Sequence, residues 1–172
     1  HANKYNIKTN KNLYNYLYTG IILNNIPNSK IIHCFRNPLD NILSIYRAHF
    51  AKENIYCSSL TECSNIYLNT EKIINEYKIY YRTKIYDLNY DLLVNSPENE
   101  IRKLISWLGW KWNKSYLSPH LNRRVVLTAS NIQVRPPINS KSTGGWNNYQ
   151  EMLKPAINII SKNPKYIDLK NI

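Results

Sequence analysis

An arginine and a serine eight residues apart could together bind a small anion. Arg36 comes directly after a short apolar segment, and Ser44 ends the run RNPLDNILS that Arg36 begins. At helical spacing, Arg36, Asp40 and Ser44 share one face of the chain. A guanidinium is a forked, permanently charged donor for phosphate oxygens, and a hydroxyl adds a neutral donor. The alternative interpretation is structural: Arg36 pairs with Asp40 at the start of a helix.

The chain around Arg36 predicts a junction between a buried strand and a helix. Residues 31–35 form a mostly apolar, β-branched run that is typical of a buried strand. Asn37 and Pro38 are residue types preferred at the cap and the first position of a helix. In open α/β sheets, ligands lie beyond the carboxyl ends of the strands, and Arg36 occupies such an end. We therefore expect Arg36 and Ser44 to face one space at the edge of a sheet.

The rest of the chain predicts an α/β fold with a parallel sheet flanked by helices. A second strand, Lys84 to Leu88, is separated from the first by helical patterns, and strands joined in this way pair in parallel. Residues 111–146 lack a regular pattern, and a final helix after Trp146 should be interrupted by Pro155. The other predicted helices run from Leu13 to Asn24, from Pro38 to Tyr46, from Leu60 to Tyr80, and from Ser96 to a C-cap at Gly109.

The charge balance favours an anionic partner. The 172 residues include 23 Lys and Arg against 11 Asp and Glu, which gives a formal net charge of +12. The basic residues form no single block, so a solvated surface without a dedicated partner is an alternative. With 15 tyrosines, a module that binds RNA or single-stranded DNA is another. That module is disfavoured, because no RNA-recognition, KH or helix-turn-helix signature occurs.

Cysteine content and hydropathy argue against several other classes. Three cysteines are too few for a disulfide scaffold and form no CxxC pair, so we expect reduced thiols and no metal. Cys57 and Cys63 could still pair in an oxidising compartment. No apolar run approaches the roughly 18 residues of a membrane helix, and residues 1–10 lack a signal-peptide core. We expect one soluble domain in the cytoplasm, or in the Golgi lumen for a full-length eukaryotic protein.

The run NSKIIHCFRNPLDNILSIYRAHF closely resembles a nucleotide-binding segment of one enzyme family. The family is the sulfotransferases that use 3′-phosphoadenosine 5′-phosphosulfate (PAPS), particularly the tyrosylprotein type and the bacterial type that carries tetratricopeptide repeats. In that family an Arg and a Ser eight residues later hold the 3′-phosphate of the nucleotide. The resemblance therefore implies that Arg36 and Ser44 bind this phosphate.

Two neighbouring segments extend the resemblance in register. NKNLYNYLYTGIILNNIP is similar to the family segment whose Lys lies sixteen residues before a Pro, as Lys11 does before Pro27. By this resemblance Lys11 would contact the bridging or sulfuryl oxygens and stabilise charge on the leaving phosphate; otherwise it is a surface lysine. YDLNYDLLVNSPENEIRKLISWLGWKW resembles the family's second strand and places Tyr90 where a Tyr contacts the nucleotide. The Glu-Asp pair of the family is Asp91-Leu92 here, so a role for the second acid is not implied.

A third segment, HLNRRVVLTASNIQVRPPINSKSTGGWNNY, resembles the tetratricopeptide-type segment that closes over the nucleotide. The residues in register with the family are Gln133, Arg135, Ser142 and Trp146. Gly145 stands where relatives carry Arg or Lys, so one phosphate contact would be lost or taken over by Lys141. The resemblance implies that Arg135, Lys141 and Ser142 support the nucleotide, whereas Gly144 and Gly145 could simply form a flexible turn.

The likeness spans Asn10 to Leu153 and implies a P-loop-NTPase-like fold, with a parallel sheet flanked by helices. The family also needs an N-terminal strand and a Gly-rich phosphate loop, whose amides and helix dipole cradle the 5′-phosphosulfate. The chain has only four glycines, and none lies in such a loop. We therefore expect residues 1–172 to be a single partial domain that lacks this strand and loop, with the general base upstream of residue 1.

The implied function is transfer of a sulfuryl group from PAPS to a hydroxyl acceptor, a tyrosine of a protein or a sugar of a glycan, with PAP as the nucleotide product. The enzyme would be the full-length protein, and residues 1–172 alone are expected to be inactive. The alternatives are an inactive sulfotransferase-like chain and the basic nucleic-acid-binding module.

Overall fold

The structure is a computed structural model that describes residues 7–48, 55–122 and 135–171. Within these residues it contains a two-stranded parallel sheet flanked by helices, which is the mixed α/β architecture that the sequence predicts. The strands are β1 (Ile31–Phe35) and β2 (Ile85–Asn89). The α-helices are α1 (Thr19–Asn25), α2 (Pro38–Arg47), α3 (Leu60–Tyr80), α4 (Tyr90–Asn95), α5 (Pro97–Leu108) and α6 (Gln150–Ile160). Short 3₁₀ segments lie at Asn15–Tyr18, Ile55–Ser58, Lys114–Leu117, Pro119–Leu121, Gly145–Tyr149 and Pro164–Asn171.

β1 and β2 pair in parallel, in a register that aligns Ile31 with Ile85. The predicted parallel pairing is confirmed, and β1 has the predicted bounds, whereas β2 begins and ends one residue later than predicted. Because the strands point the same way, their carboxyl ends meet at one edge of the sheet. The residues that follow the strands, Arg36 and Tyr90, are therefore neighbours at that edge.

Caps fix the ends of the helices near this edge. The Asn37 side chain accepts hydrogen bonds from two backbone N–H groups at the start of α2, and Pro38 takes the first helical position, as predicted. Asn89 caps α4 in the same way. At the end of α5, Gly109 has a φ of 77°, which is the left-handed C-cap that the sequence predicts. The two Asn caps therefore determine where the helices beyond β1 and β2 begin.

Three helices differ from the sequence prediction. The segment Leu13 to Asn24 begins as a 3₁₀ turn and is α-helical only from Thr19. The prediction missed α4, because its 6 residues are too few for helical periodicity to show. The predicted break at Pro155 is wrong, since α6 is continuous through it. Pro155 is exposed, and so is Glu151, whose carbonyl loses its helical partner on the solvent side.

One apolar core lies between α2, α3 and α6. Leu39 and Ile42 of α2 and Leu153 and Ile160 of α6 are all 0% exposed, and Cys63 joins them from α3. A close-packed core leaves a helix little freedom to shift. The N-terminal end of α2 is therefore held by packing as well as by its cap.

Membrane spans and metal clusters are not features of the described residues. In these ranges no helix combines the length and the apolar character needed to cross a membrane. The same residues hold no group of three or more His, Cys, Asp or Glu side chains placed to bind a metal ion. All three cysteines carry thiols, and burial raises the pKa of Cys63 to about 11, so that thiol is protonated near neutral pH.

Candidate anion-binding site

Arg36 lies directly beyond β1 and is largely buried by its neighbours. Its Nη2 donates a hydrogen bond to the backbone carbonyl of Ser142 and lies 3.7 Å from Asp40 Oδ2. Its guanidinium carbon is 5.4 Å from the centre of the Tyr90 ring, within the range of a cation–π contact. The side chain is 18% exposed. The structure thus brings Arg36, Tyr90 and Ser142 together at the carboxyl edge of the sheet.

One donor of this guanidinium is unsatisfied. Arg36 Nε is buried and has no hydrogen-bond partner in the described part of the chain. Buried polar groups in native proteins are satisfied in the large majority of cases, so an orphan donor calls for a ligand or an ordered water. For a guanidinium the matching ligand is an anionic oxygen.

Asp40 attaches a distant segment to the start of α2. The residue is 3% exposed, and its carboxylate accepts hydrogen bonds from the N–H groups of Gly144, at 2.6 Å, and Trp146, at 3.0 Å. Gly144 has a φ of 71°, in the left-handed region that favours glycine. These bonds place residues 142–146 against the guanidinium of Arg36.

The ion pair between Arg36 and Asp40, which is the structural alternative for Arg36, is present, but the distance between its charged atoms is long. The two side chains are 3.7 Å apart, whereas Asp40 accepts shorter bonds from two backbone N–H groups. Asp40 therefore does not saturate the guanidinium, which retains Nε for another acceptor. The ion pair and an anion site are compatible in this geometry.

A second carboxylate, Asp91, joins the starts of two helices. Its Oδ2 accepts a hydrogen bond of 2.7 Å from the N–H of Asn37, which links α4 to the cap of α2. Its Oδ1 is buried and has no hydrogen-bond partner among the described residues. The junction thus contains one unsatisfied donor, on Arg36, and one unsatisfied acceptor, on Asp91.

A buried polar cluster connects α3 to the C-terminal 3₁₀ segment. Glu71 accepts hydrogen bonds from the Tyr166 hydroxyl at 2.6 and 2.7 Å and from Lys165 Nζ at 2.7 Å. The Tyr67 and Tyr166 hydroxyls are 3.1 Å apart. Burial, together with the bond to Glu71, raises the pKa of Tyr166, and burial raises the pKa of Tyr67 to about 12. Both phenols stay protonated near neutral pH and can donate.

His33 and Asp87 form a polar pair across the middle of the sheet. His33 Nδ1 lies 2.8 Å from Asp87 Oδ1, and Lys78 Nζ lies 2.6 Å from the same oxygen. Burial lowers the pKa of His33, although the hydrogen bond to Asp87 acts in the opposite direction. Burial acts to raise the pKa of Asp87, but hydrogen bonds from Lys78 and His33 outweigh it and lower that pKa. This pair lies within the strands and not at their carboxyl edge.

Ser44 and Lys11, two of the predicted site residues, are exposed. Ser44 lies one turn beyond Asp40 on α2, and Lys11 precedes the first 3₁₀ segment. Asp40, between Arg36 and Ser44 on this face, is covered by the backbone of residues 144–146. The contacts of Arg36 described above include neither side chain.

The later predicted residues, Arg135, Lys141 and Ser142, are also exposed. Ser142 meets the guanidinium through its backbone carbonyl and not through its hydroxyl. Lys141 is next to it in the chain, and Arg135 Nη1 donates to the carbonyl of Asn122 at 3.5 Å. Gln133 lies outside the described residues. Ser142 is therefore the member of this set that the structure places directly against the site.

The contacts of Asp40 and Asp91 with backbone N–H groups were not predicted from the sequence. The partners of Asp40 are 104 and 106 residues away, and no local pattern indicates such a contact. The available signal for Asp40 was an acidic residue in the first turn of a helix that is otherwise apolar on its buried side. The available signal for Asp91 was its place in the first turn of a helix that Asn89 caps.

Most of the predicted site residues lie in regions that are similar to known proteins. Residues 1–114 match the model of the sulfotransferase family, a range that includes Lys11, Arg36, Ser44 and Tyr90 and ends before Arg135. The chain is also similar to an uncharacterised protein of Aquifex aeolicus (strain VF5), with 31% identity over 158 residues. That match covers 90% of this chain and 21% of the relative, so the chain spans about a fifth of the relative's length.

Proposed function

Because the chain belongs to the sulfotransferase family, we propose that it forms the part of the catalytic domain that binds the 3′-phosphate of PAPS. The observation that supports this most directly is the buried, unsatisfied Nε of Arg36 beyond the carboxyl end of β1. A permanently charged donor at that position matches a phosphate oxygen. Family membership by itself indicates sulfuryl transfer in general.

Arg36 and Ser44 are the proposed ligands of the 3′-phosphate. The Ser44 side chain is exposed one turn beyond Asp40 on α2, so its hydroxyl is accessible to a ligand. Tyr90 is proposed to line the nucleotide, because its ring already lies 5.4 Å from the guanidinium carbon. Supporting contacts are proposed for three exposed residues of the later segment: Arg135, Lys141 and Ser142.

PAPS supplies the sulfuryl group when it is bound, and the hydroxyl of a tyrosine or a sugar is the proposed acceptor. Lys11 is proposed to stabilise negative charge on the leaving phosphate, and its exposed side chain is accessible for that role. Group transfer of this kind depends on positioning and electrostatic stabilisation more than on covalent chemistry by the protein. We assign no general base among these residues.

The glycines of the chain do not form a cradle for the 5′-phosphosulfate. Gly20 lies within α1, Gly109 is the C-cap of α5, and Gly144 and Gly145 belong to the segment bound by Asp40. Gly144 and Gly145 lead into the 3₁₀ segment Gly145–Tyr149, but the N–H groups of Gly144 and Trp146 there already donate to Asp40, whereas the N–H groups of a Gly-rich phosphate loop are open to a phosphate. We infer that the full-length protein supplies this loop and that residues 1–172 alone do not turn over PAPS.

Calorimetric titration of the full-length protein with PAP and with adenosine 5′-phosphate tests the proposal. We expect PAP to bind about 100-fold more tightly, because hydrogen bonds from charged groups to the 3′-phosphate are each worth roughly 1.5–3 kcal/mol. Transfer of labelled sulfate from PAPS to tyrosine and sugar acceptors is the matching activity measurement. Equal affinity for the two nucleotides would show that this site does not read a 3′-phosphate.

A salt titration separates this function from nucleic-acid binding. An RNA or single-stranded DNA complex of so basic a chain would weaken steeply with salt. PAP binding is expected to stay selective for the 3′-phosphate as the salt concentration rises. A steep loss of an RNA complex combined with no preference for PAP would favour the nucleic-acid module.

A further inference from the structure

We propose that Asp40 is a positioning residue that holds residues 140–147, here called the closing segment, against Arg36 so that the 3′-phosphate meets a preformed site. This inference rests on the proposed binding of PAP and goes beyond it. Asp40 itself is assigned no contact with the nucleotide. Asp40 instead fixes the surroundings of the Arg36 guanidinium, which is proposed to contact the nucleotide.

The closing segment is compact in itself. Thr143 donates to the Ser140 carbonyl through both its N–H, at 3.0 Å, and its hydroxyl, at 2.8 Å. Asn147 donates to the Gly144 carbonyl through its N–H, at 3.2 Å, and its side chain, at 3.0 Å. A segment closed on itself in this way can be held as one body by a small number of external bonds.

Among the described residues, three hydrogen bonds attach this segment to the region around α2. Asp40 accepts bonds from the N–H groups of Gly144 and Trp146, and Arg36 donates to the Ser142 carbonyl. Trp146 also packs against the apolar core. The Asp40 side chain is more deeply buried than that of Arg36, at 2% against 18% exposed, and it accepts two bonds from this segment where Arg36 donates one. We therefore expect the bonds of Asp40 to set the position of the segment relative to the guanidinium.

Only a carboxylate satisfies this geometry in full. Its two oxygens each accept from one backbone N–H, and its charge faces the guanidinium at 3.7 Å. An asparagine at the same position would present one oxygen and one NH₂ group, which would face a backbone donor. Asp40→Asn therefore removes one attachment and the charge while it preserves the shape of the side chain.

Loss of the Asp40 bonds is expected to make the Arg36 guanidinium less preorganised for binding a phosphate. With the closing segment in place, Arg36 is confined between Ser142, Tyr90 and Asp40. If the segment moves, the guanidinium regains rotamer freedom that must be lost again when it binds a phosphate. The cost falls on ligands that carry a 3′-phosphate, because the guanidinium is proposed to contact that group alone.

The first measurement follows the attachment itself, without any ligand. Amide hydrogen exchange at Gly144 and Trp146 is compared by NMR in wild type, Asp40→Asn and the matched control Asp168→Asn, which changes an exposed aspartate of the C-terminal 3₁₀ segment. We expect exchange at the amide that loses its acceptor to be about tenfold faster in Asp40→Asn, since a hydrogen bond to a charged acceptor is lost. The control should match wild type, and unchanged exchange in Asp40→Asn would overturn the proposal.

The second measurement is titration of the same three full-length proteins with PAP and adenosine 5′-phosphate. Asp40→Asn should weaken PAP binding about tenfold and leave adenosine 5′-phosphate within about twofold of wild type. Equal losses for both nucleotides would indicate general destabilisation and overturn the positioning role. If wild type itself fails to prefer PAP, the proposed function is wrong, while the exchange measurement still decides whether Asp40 holds the segment.

A second variant tests the same proposal if the Asp40→Asn protein does not fold. Gly144→Ala strains a backbone with φ of 71° and displaces the N–H that Asp40 binds, without altering either charged side chain. Its added methyl would lie 3.5 Å from Asn147 Nδ2, an ordinary contact, so the effect comes from the backbone. We expect the same PAP-selective loss of affinity. A folded Gly144→Ala protein with wild-type affinity for PAP would overturn the proposal.

Discussion

Replacement of Arg36 by alanine is the perturbation that bears most directly on the site. It removes the Nη2 bond to the Ser142 carbonyl, the ion pair of 3.7 Å with Asp40 and the unsatisfied Nε. Arg36→Lys is the informative partner, because it keeps the positive charge but loses the planar fork. Arg82→Ala, in the exposed turn between α3 and β2, is a matched control.

The magnitude follows from the number of donors that reach a phosphate. A forked contact of two charge-assisted hydrogen bonds, at roughly 1.5–3 kcal/mol each, is partly offset by the ordering of the side chain, so we expect a net loss of about 3 kcal/mol. That corresponds to PAP binding roughly 100-fold weaker in Arg36→Ala. Arg36→Lys should lose about tenfold, because one ammonium group replaces the fork.

Stability must be measured alongside affinity. Arg36→Ala leaves the buried carboxylate of Asp40 without its counter-charge, although two backbone N–H groups still bind it. We expect a loss of about 2 kcal/mol in the free energy of unfolding, below the usual cost of an uncompensated buried charge. Calorimetry at a temperature where all the variants are folded separates the two effects. Wild-type PAP affinity in a folded Arg36→Ala protein would refute the assignment.

Three further predictions concern the framework around the site. Tyr166→Phe removes the donor to buried Glu71 and should cost about 2 kcal/mol in urea unfolding, so an unchanged midpoint would contradict the cluster as described. Burial keeps the folded pKa of His33 below the ordinary 6.5, so the unfolded chain takes up the proton first and stability should fall as pH drops from about 7 to about 5. His33→Gln should flatten that slope, and a slope that persists would place its origin elsewhere. Asn37→Ala should cost about 1 kcal/mol through the lost cap of α2, with recovery in Asn37→Ser, and equal stability of both variants would argue against capping.

The elements that carry the site could be read from local sequence. The bounds of β1 and α3 and the Asn-Pro start of α2 follow from β-branched runs, helical periodicity and cap chemistry, all of which act within a few residues. α4 was missed because its 6 residues, less than two turns, carry too little periodicity. The predicted break at Pro155 was wrong because a well-packed helix tolerates the loss of one hydrogen bond when the carbonyl that loses it is exposed to solvent.

The arrangement of the candidate site was less accessible to sequence reasoning. The position of Arg36 at the end of a strand could be predicted from the strand pattern alone. Its contact with Ser142, by contrast, joins residues 106 positions apart. The same holds for Asp40, whose local pattern suggests a helix-start acid paired with Arg36 and whose nearest partners are two backbone amides far along the chain. Contacts of this kind depend on how irregular segments pack, for which the sequence carries no periodic signal.

The most direct measurement of the central claim is a crystal structure of the full-length protein with PAP bound. We predict a 3′-phosphate oxygen at about 3 Å from the Arg36 guanidinium, with Nε as one of its donors. A nucleotide bound with its 3′-phosphate elsewhere, and Arg36 still held only by Asp40 and Ser142, would contradict that claim.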